Sequence, residues 1–147
     1  MTPKRRNTGS FEVERTTGSH EILDRLFVYG TLRQGQTARS LIANQIRRCE
    51  PAHTAGSIYA FPMGYPAYIE GPGRTVGELL WLTELPATFA LLDAYEGDDF
   101  ARVIQQVTLD TGEPVWAWLY ALSDPEAVRL GTLIEDGDWV RYWTELQ

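Results

Sequence analysis

Leu26-Phe27-Val28-Tyr29-Gly30-Thr31-Leu32-Arg33 is the stretch on which the reading of this chain turns. Four apolar residues run directly into a glycine, the pattern of a strand buried on both faces whose backbone then turns sharply. A turn at a strand end exposes main-chain N–H groups. If Gly30, Thr31 and Leu32 present theirs to a cavity, they form an anion-binding nest suited to a small carboxylate. The alternative is a buried strand followed by an ordinary turn, and the rest of the chain decides between them.

The chain has 147 residues, enough for one domain with a real core. Its formal charge of −7 is unevenly spread: residues 1–25 hold five basic and four acidic groups, and the remainder eight and sixteen. The part beyond residue 25 therefore carries −8, which argues against nucleic acid as a partner, since a phosphate backbone needs a basic face. Aromatic residues make up 12%, with five Trp, so material for a core is ample. Residues 1–24, with Lys4-Arg5-Arg6 and many Thr, Ser and Gly, read as a mobile extension, and residues 25–147 as the folded domain. No apolar run reaches the length of a membrane span and no signal-peptide core is visible, so a soluble cytoplasmic protein is expected.

The scarce residues narrow the chemistry. Lys4 is the only lysine, so the folded part has none for a Schiff base or a phosphate loop, and no glycine-rich nucleotide fingerprint appears. Cys49 is the only thiol; His20 and His53 are the only histidines, with His20 in the polar tail. Cys49 and His53 lie four apart, but Pro51 between them spoils a helix and no orienting acid is evident, so they read as structural or surface residues. A single cysteine excludes an internal disulfide and makes a zinc site improbable. Carboxylates and hydroxyls remain. An enzyme built from them works by proton transfer, with no cofactor and no metal.

Along the chain, the spacing of Ala38, Leu41, Ile42 and Ile46 predicts an amphipathic helix over 37–46. Strands are expected over 55–61, 67–70 and 75–83, with Gly71-Pro72-Gly73 as a turn and Gly77 marking a bulge or the close approach of another backbone. Pro86 and Gly97 bracket a helix of about ten residues by the preference for proline at helix starts and glycine beyond their ends. On it Leu85, Phe89, Leu92 and Glu96 follow i, i+4, i+7, i+11, so the face that buries Phe89 and Leu92 also carries Glu96. Burial and the negative end of the helix dipole both raise the proton affinity of that carboxyl, which suits a group that accepts and returns a proton near neutrality. The bland alternative is a terminal Glu that reaches into water, as Asp93, Asp98 and Asp99 are expected to do.

Strands over 101–109 and 115–122 are joined by Asp110-Thr111-Gly112-Glu113. Trp116, Trp118 and Tyr120 alternate onto one face, expected to be core, with the Tyr120 hydroxyl able to enter a cavity. Asp124-Pro125-Glu126 starts a short helical piece, and Gly137-Asp138-Trp139 opens a terminal segment. Short strands with a few helices between them indicate an α+β domain around a curved sheet.

Taken together, Tyr29-Gly30-Thr31-Leu32-Arg33, Gly64-Tyr65-Pro66-Ala67, Gly77-Glu78-Leu79 and Leu92-Asp93-Ala94-Tyr95-Glu96-Gly97 with Arg102 resemble the gamma-glutamylcyclotransferase-like superfamily, in particular its gamma-glutamylamine branch. The resemblance covers about residues 26–143, and the Gly137-Asp138-Trp139 segment also fits it. It implies a compact mixed β-barrel flanked by helices, with the substrate cavity at one end. It implies that residues 29–32 (Tyr29, Gly30, Thr31 and Leu32) hold the glutamyl moiety, with Tyr65, Pro66, Arg102 and Tyr120 as further substrate contacts, and that Glu96 is the acid/base. One departure is Phe100, where relatives often carry tyrosine. The implied reaction cyclises a γ-glutamyl amine or γ-glutamyl amino acid to 5-oxoproline, with a small-molecule γ-glutamyl substrate as partner and neither nucleic acid nor membrane. The competing expectation is a non-catalytic binding domain of the same fold.

Overall fold

The computed structural model describes residues 23–147; the expected mobile extension lies outside the described residues except for its last two. Five strands close a mixed barrel: β1 (Arg25–Val28), β2 (Ile46–Phe61), β3 (Tyr65–Leu82), β4 (Phe100–Leu109) and β5 (Pro114–Leu122). They neighbour one another in the order β1, β3, β2, β4, β5 and back to β1. A two-residue strand, β6 (Thr132–Leu133), pairs with β2 at Tyr59 and Ala60. Helix α1 (Leu85–Glu96) and helix α2 (Trp139–Leu146) flank the barrel. Among the described residues no helix is long and apolar enough to cross a membrane.

The opening stretch is buried on both sides, as its unbroken apolar run predicts. Phe27 faces the barrel interior with Leu79, Trp81, Val107 and Leu119. Leu26 and Val28 face the opposite way, into a second layer with Ile42, Leu80, Phe89 and Leu92. Strand β1 pairs antiparallel with β3 and parallel with β5, so it closes the barrel between them.

Gly77 shows why closure needs a glycine. It sits opposite β1, and a Cβ there would overlap the Val28 carbonyl and crowd the Phe27 ring. This is the close backbone approach that a glycine inside a strand foretells. At the far end Gly137, with φ 70°, brings the chain against β3, where Val76 N–H donates to its carbonyl at 2.8 Å. Asp138 then caps α2 by accepting from Arg141 N–H, and Trp139 drops into the core beneath it.

Three local expectations are corrected. Residues 37–46 form two 3₁₀ turns, Arg39–Leu41 and Ala43–Gln45, held by i to i+3 bonds such as Leu41 N–H to Ala38 O. Ala38 and Ile42 still point inward, but neither turn has a side-chain cap to start a longer helix. Gly71-Pro72-Gly73 does not end a strand: β3 runs through it. Ladder partners jump from Ala55 and Arg74 to Ser57 and Ile69, so residues 70–73 bulge opposite Gly56, and the positive φ of Gly56, Gly71 and Gly73 bends the hairpin without breaking it. Finally, Trp116, Trp118 and Tyr120 lie on the outer face of β5. Ala117 and Leu119 fill the interior, Trp118 and Tyr120 pack under α1, and Trp116 is 57% exposed.

Because the Gly77 contact is with backbone that cannot step aside, Gly77→Ala is expected to destabilise the fold by about 3 kcal/mol, the upper end of the usual overpacking cost. Urea denaturation would read this directly, and a loss near zero would mean that β1 and β3 can separate freely.

Candidate active site

A cavity of about 280 Å³ opens where β1 ends. Its lining comprises Phe27, Val28, Tyr29, Gly30, Thr31, Leu32, Tyr65, Pro66, Tyr95, Glu96, Asp99, Phe100 and Tyr120. Of the residues singled out in the sequence, Glu96, Tyr29, Gly30, Thr31, Leu32, Tyr65, Pro66 and Tyr120 all meet there. Arg102 does not.

Three physical devices place Glu96. Phe89 and Leu92 anchor one face of α1 against the barrel, so the residue one turn further along emerges beside β1. Gly97 then stops the helix with a positive φ of 75°, which favours glycine, and its N–H donates to Asp93 O. Burial pushes the Glu96 carboxyl up to about 7, and the neighbouring Asp93 carboxylate adds to the shift. No hydrogen bond from a described residue counters that effect.

Facing Glu96 is the turn after β1. Arg33 N–H donates to Gly30 O, and Gln34 N–H to a Glu78 carboxylate oxygen at 3.0 Å. The N–H groups of Gly30, Thr31 and Leu32, by contrast, reach no acceptor among the described residues. The turn is rigid for two reasons. Gly30 packs directly on the Pro66 ring, leaving no room for a Cβ. Below it the Glu78 carboxylate, 14% exposed, holds Arg33 at 3.4 Å and Arg39 at 2.9 Å, while Arg33 also reaches Asp138 at 3.0 Å. An acid on β3 thus ties down both ends of the loop that carries the uncommitted donors.

The tyrosines divide into two kinds. Tyr29 lines the cavity with its ring only: its hydroxyl is consumed by donating to Tyr120 O at 2.6 Å and accepting from Tyr68 N–H at 3.2 Å. Burial accordingly raises its proton affinity well above the ordinary phenol value. Tyr120 donates its hydroxyl to Asp93 Oδ1 at 2.7 Å. Tyr95, which the sequence reading quoted only as part of a motif, stands at the cavity mouth with its hydroxyl 3.2 Å from Thr31 Oγ1.

Arg102 lies away from the cavity, paired with Asp93. Arg102 forms a two-pronged pair with Asp93 at 3.0 and 3.2 Å, and its guanidinium lies 4.3 Å from the Phe89 ring and 4.4 Å from the Trp118 ring. Held there, it cannot line the cavity. Asp93 is exposed, as expected, and also accepts from both Arg102 and Tyr120. Cys49 and His53 lie elsewhere, in a separate hollow beside Glu78, and burial raises the thiol. Among the described residues no group of three or more His, Cys, Asp or Glu side chains is placed to hold a metal ion.

A family model described as gamma-glutamyl cyclotransferase, AIG2-like, matches residues 26–141, which includes every residue of this cavity. The chain belongs to that family. Among curated protein sequences none matches it. Solved structures do: YkqA from Bacillus subtilis is similar at 26% identity and a TM-score of 0.68 over 85% of this chain. The chain spans 42% of the length of YkqA. An AIG2-like protein from Mus musculus shares the fold at 20% identity and a TM-score of 0.61, covering 81% of this chain and 89% of its own. Allophanate hydrolase from Kluyveromyces lactis contains the same fold at 15% identity and a TM-score of 0.61, over 90% of this chain and 23% of its own. The gamma-glutamyl cyclotransferase, AIG2-like fold is thus found in proteins of very different length.

The raised proton affinity of Glu96 has a consequence for stability. Between the ordinary carboxyl value of 4.5 and about 7 the folded chain binds a proton that the unfolded chain releases, so the group's destabilising effect grows as pH rises through that window. Replacing the carboxyl with a neutral amide removes this penalty. Glu96→Gln is therefore expected to exceed the parent by about 2–3 kcal/mol near pH 8, with the difference fading by about pH 4. Urea titrations across that range measure it; a constant difference would show that folding leaves this carboxyl unperturbed.

Proposed function

We propose that the protein is a γ-glutamyl cyclotransferase in which Glu96 is the general acid/base and the turn at residues 30–32 binds the glutamyl end of the substrate. The observation that carries this reading is one juxtaposition: a half-buried carboxyl with raised proton affinity shares a small cavity with three uncommitted main-chain donors.

The chemistry requires little else. A γ-glutamyl amide carries its own nucleophile, the α-amine, and its own electrophile, the γ-carbonyl, so no serine, cysteine or metal-bound water need attack. Ionised Glu96 takes a proton from the α-ammonium, and the freed amine adds to the γ-carbonyl carbon to close a five-membered ring. As the amide C–N bond breaks, Glu96 returns that proton to the departing nitrogen. The second surplus proton of the attacking nitrogen follows the same route, giving 5-oxoproline and an ammonium product.

Ring closure from an extended chain is opposed mainly by conformational entropy. The donors at Gly30, Thr31 and Leu32 hold an oxygen of the glutamyl group so that the chain stays folded back, which converts binding into a lowered barrier. Apolar walls from Phe27, Tyr65, Pro66 and Phe100 displace water and strengthen those bonds. A binding domain of the same fold would use the same turn, but it has no need for a carboxyl held near neutrality. Tight ligand binding with no turnover would favour that second reading.

Removing only the proton acceptor tests the role of Glu96. Glu96→Gln is expected to fold normally and to lose at least about 100-fold in 5-oxoproline release, the lower end of what a positioned acid/base contributes. Mass-spectrometric detection with γ-glutamyl amines and dipeptides checks it, and near-parental turnover by the folded variant would refute the assignment.

The Asp93 network makes a second prediction. In the parent, kcat/KM should rise with pH through about 7 as Glu96 ionises. Arg102→Gln leaves Asp93 uncompensated one turn from Glu96, so this limb is expected to move up by about 0.5–1 pH unit, whereas Asp93→Asn should move it down. Unmoved limbs in both variants would show that the titrating group is not Glu96.

A further inference from the structure

A second hollow, of about 260 Å³, lies beside the Glu78 tie on the outer face of the barrel, where β3, β2 and the end of β4 run side by side. Side chains alternate along each strand, so Cys49, Pro51 and His53 of β2 share this face with Arg74, Val76 and Glu78 of β3. Asp110, just past β4, stands opposite Pro51 and donates its N–H to the Pro51 carbonyl at 3.3 Å. Arg33 and Gln34 of the turn after β1 close the near end. The hollow shares no residue with the cavity that contains Glu96.

Its charged groups fall into two sets. Glu78 and Arg33 are committed to each other, and further to Arg39 and Asp138. Arg74 and Asp110 form no ion pair among the described residues. Arg74 has only donors to offer, so His53 Nδ1, 3.4 Å from its guanidinium, accepts, and the neutral ring carries its proton on Nε2. One end of the hollow is therefore a pair of donors, a guanidinium and an imidazole N–H, and its flank is a lone carboxylate. His53 and Asp110 are diagonal neighbours across β2 and β4, and side chains so placed start about 7–8 Å apart.

We propose that this hollow binds a free α-amino acid as its zwitterion, with the carboxylate on Arg74 and His53 Nε2–H and the ammonium on Asp110. Both charged groups of such a molecule hang from one carbon, and a hydrogen bond of about 3 Å at each end lets it span the gap between the donors and the acid. Pro51 and Val76 give an apolar floor for a short side chain. A simple anion meets the Asp110 charge and a simple cation the Arg74 charge, so the arrangement disfavours ligands that carry one sign alone. The bound amino acid lies against Gln34, whose N–H holds Glu78 at 3.0 Å. The site stands whether or not the protein cyclises γ-glutamyl amides.

Titrating the isotope-labelled full chain with L-alanine, and following the backbone amides by NMR, tests the assignment; propionate and ethylamine are the probes that each lack one charge. Alanine is expected to shift the amides of Gln34, His53 and Asp110 with a millimolar-range dissociation constant. Propionate and ethylamine should bind at least about tenfold more weakly, the worth of one charge-assisted hydrogen bond. Arg74→Gln and Asp110→Asn, which break no ion pair within the described chain, should each weaken alanine binding by a similar factor. Propionate as tight as alanine, shifts confined to Thr31, Leu32 and Glu96, or alanine binding unaltered by either substitution would overturn the site. Unmoved amides at tens of millimolar alanine would do the same. Cyclisation is read separately, by 5-oxoproline release, and neither result decides the other.

Discussion

The Tyr29 hydroxyl lies between the Tyr120 carbonyl and the Tyr68 amide, at the place where β3 and β5 come side by side in parallel. The phenol bridges the two strands there. It hydrogen-bonds two buried backbone groups, and leaving such a group unpaired costs about 1–3 kcal/mol. Because Tyr29 is also the last residue before the Gly30 turn, the same bond fixes where the turn begins. Fold closure and site geometry therefore depend on one side chain. The phenol is a barrel clamp, while its ring lines the cavity.

The site balances opposed charges at two levels. Deep under the turn, Glu78 is almost surrounded by donors: Arg33, Arg39 and the Gln34 amide. Its charge is matched and it acts as a tie. Glu96, with no such donors, is held where ionisation is costly. Two glutamates of the same chemistry thus take up different tasks because one is hydrogen-bonded and the other is not. Asp93 lies between these extremes, neutralised in part by Arg102 and Tyr120, and it sets the electrostatic background against which Glu96 titrates.

Much of this was legible in the residues, and the failures share a cause. The two-sided burial of β1, the helix ending at Gly97 and the Glu96 stripe all follow from spacing within a dozen residues, where periodicity and caps determine geometry. Gly77 likewise announced its close approach. What local pattern does not reveal is the partner. Gly71-Pro72-Gly73 has turn composition, and only the bulge at Gly56 opposite makes it a bend. Alternation placed Trp116 with Trp118 and Tyr120 but could not tell the inside of a narrow barrel from the outside. The Asp93–Arg102 pair depends on how α1 lies over β4, so the arginine was read toward substrate. Spacings of three and four fit a helix and successive 3₁₀ turns alike over ten residues.

The bent β2–β3 hairpin bears on the order in which the molecule assembles. Its ladder joins neighbours in sequence, from Phe61 and Tyr65 outward to Ile46 and Leu82, and short chain closures of this kind form early. The bond between Tyr29 and Tyr120, by contrast, spans 91 positions and awaits the arrival of both ends of the chain. The cavity is bounded by that late seam. In a population of partly opened molecules this hollow is thus the first feature to be lost, while the hairpin persists, and on warming the cavity opens before most of the sheet is lost.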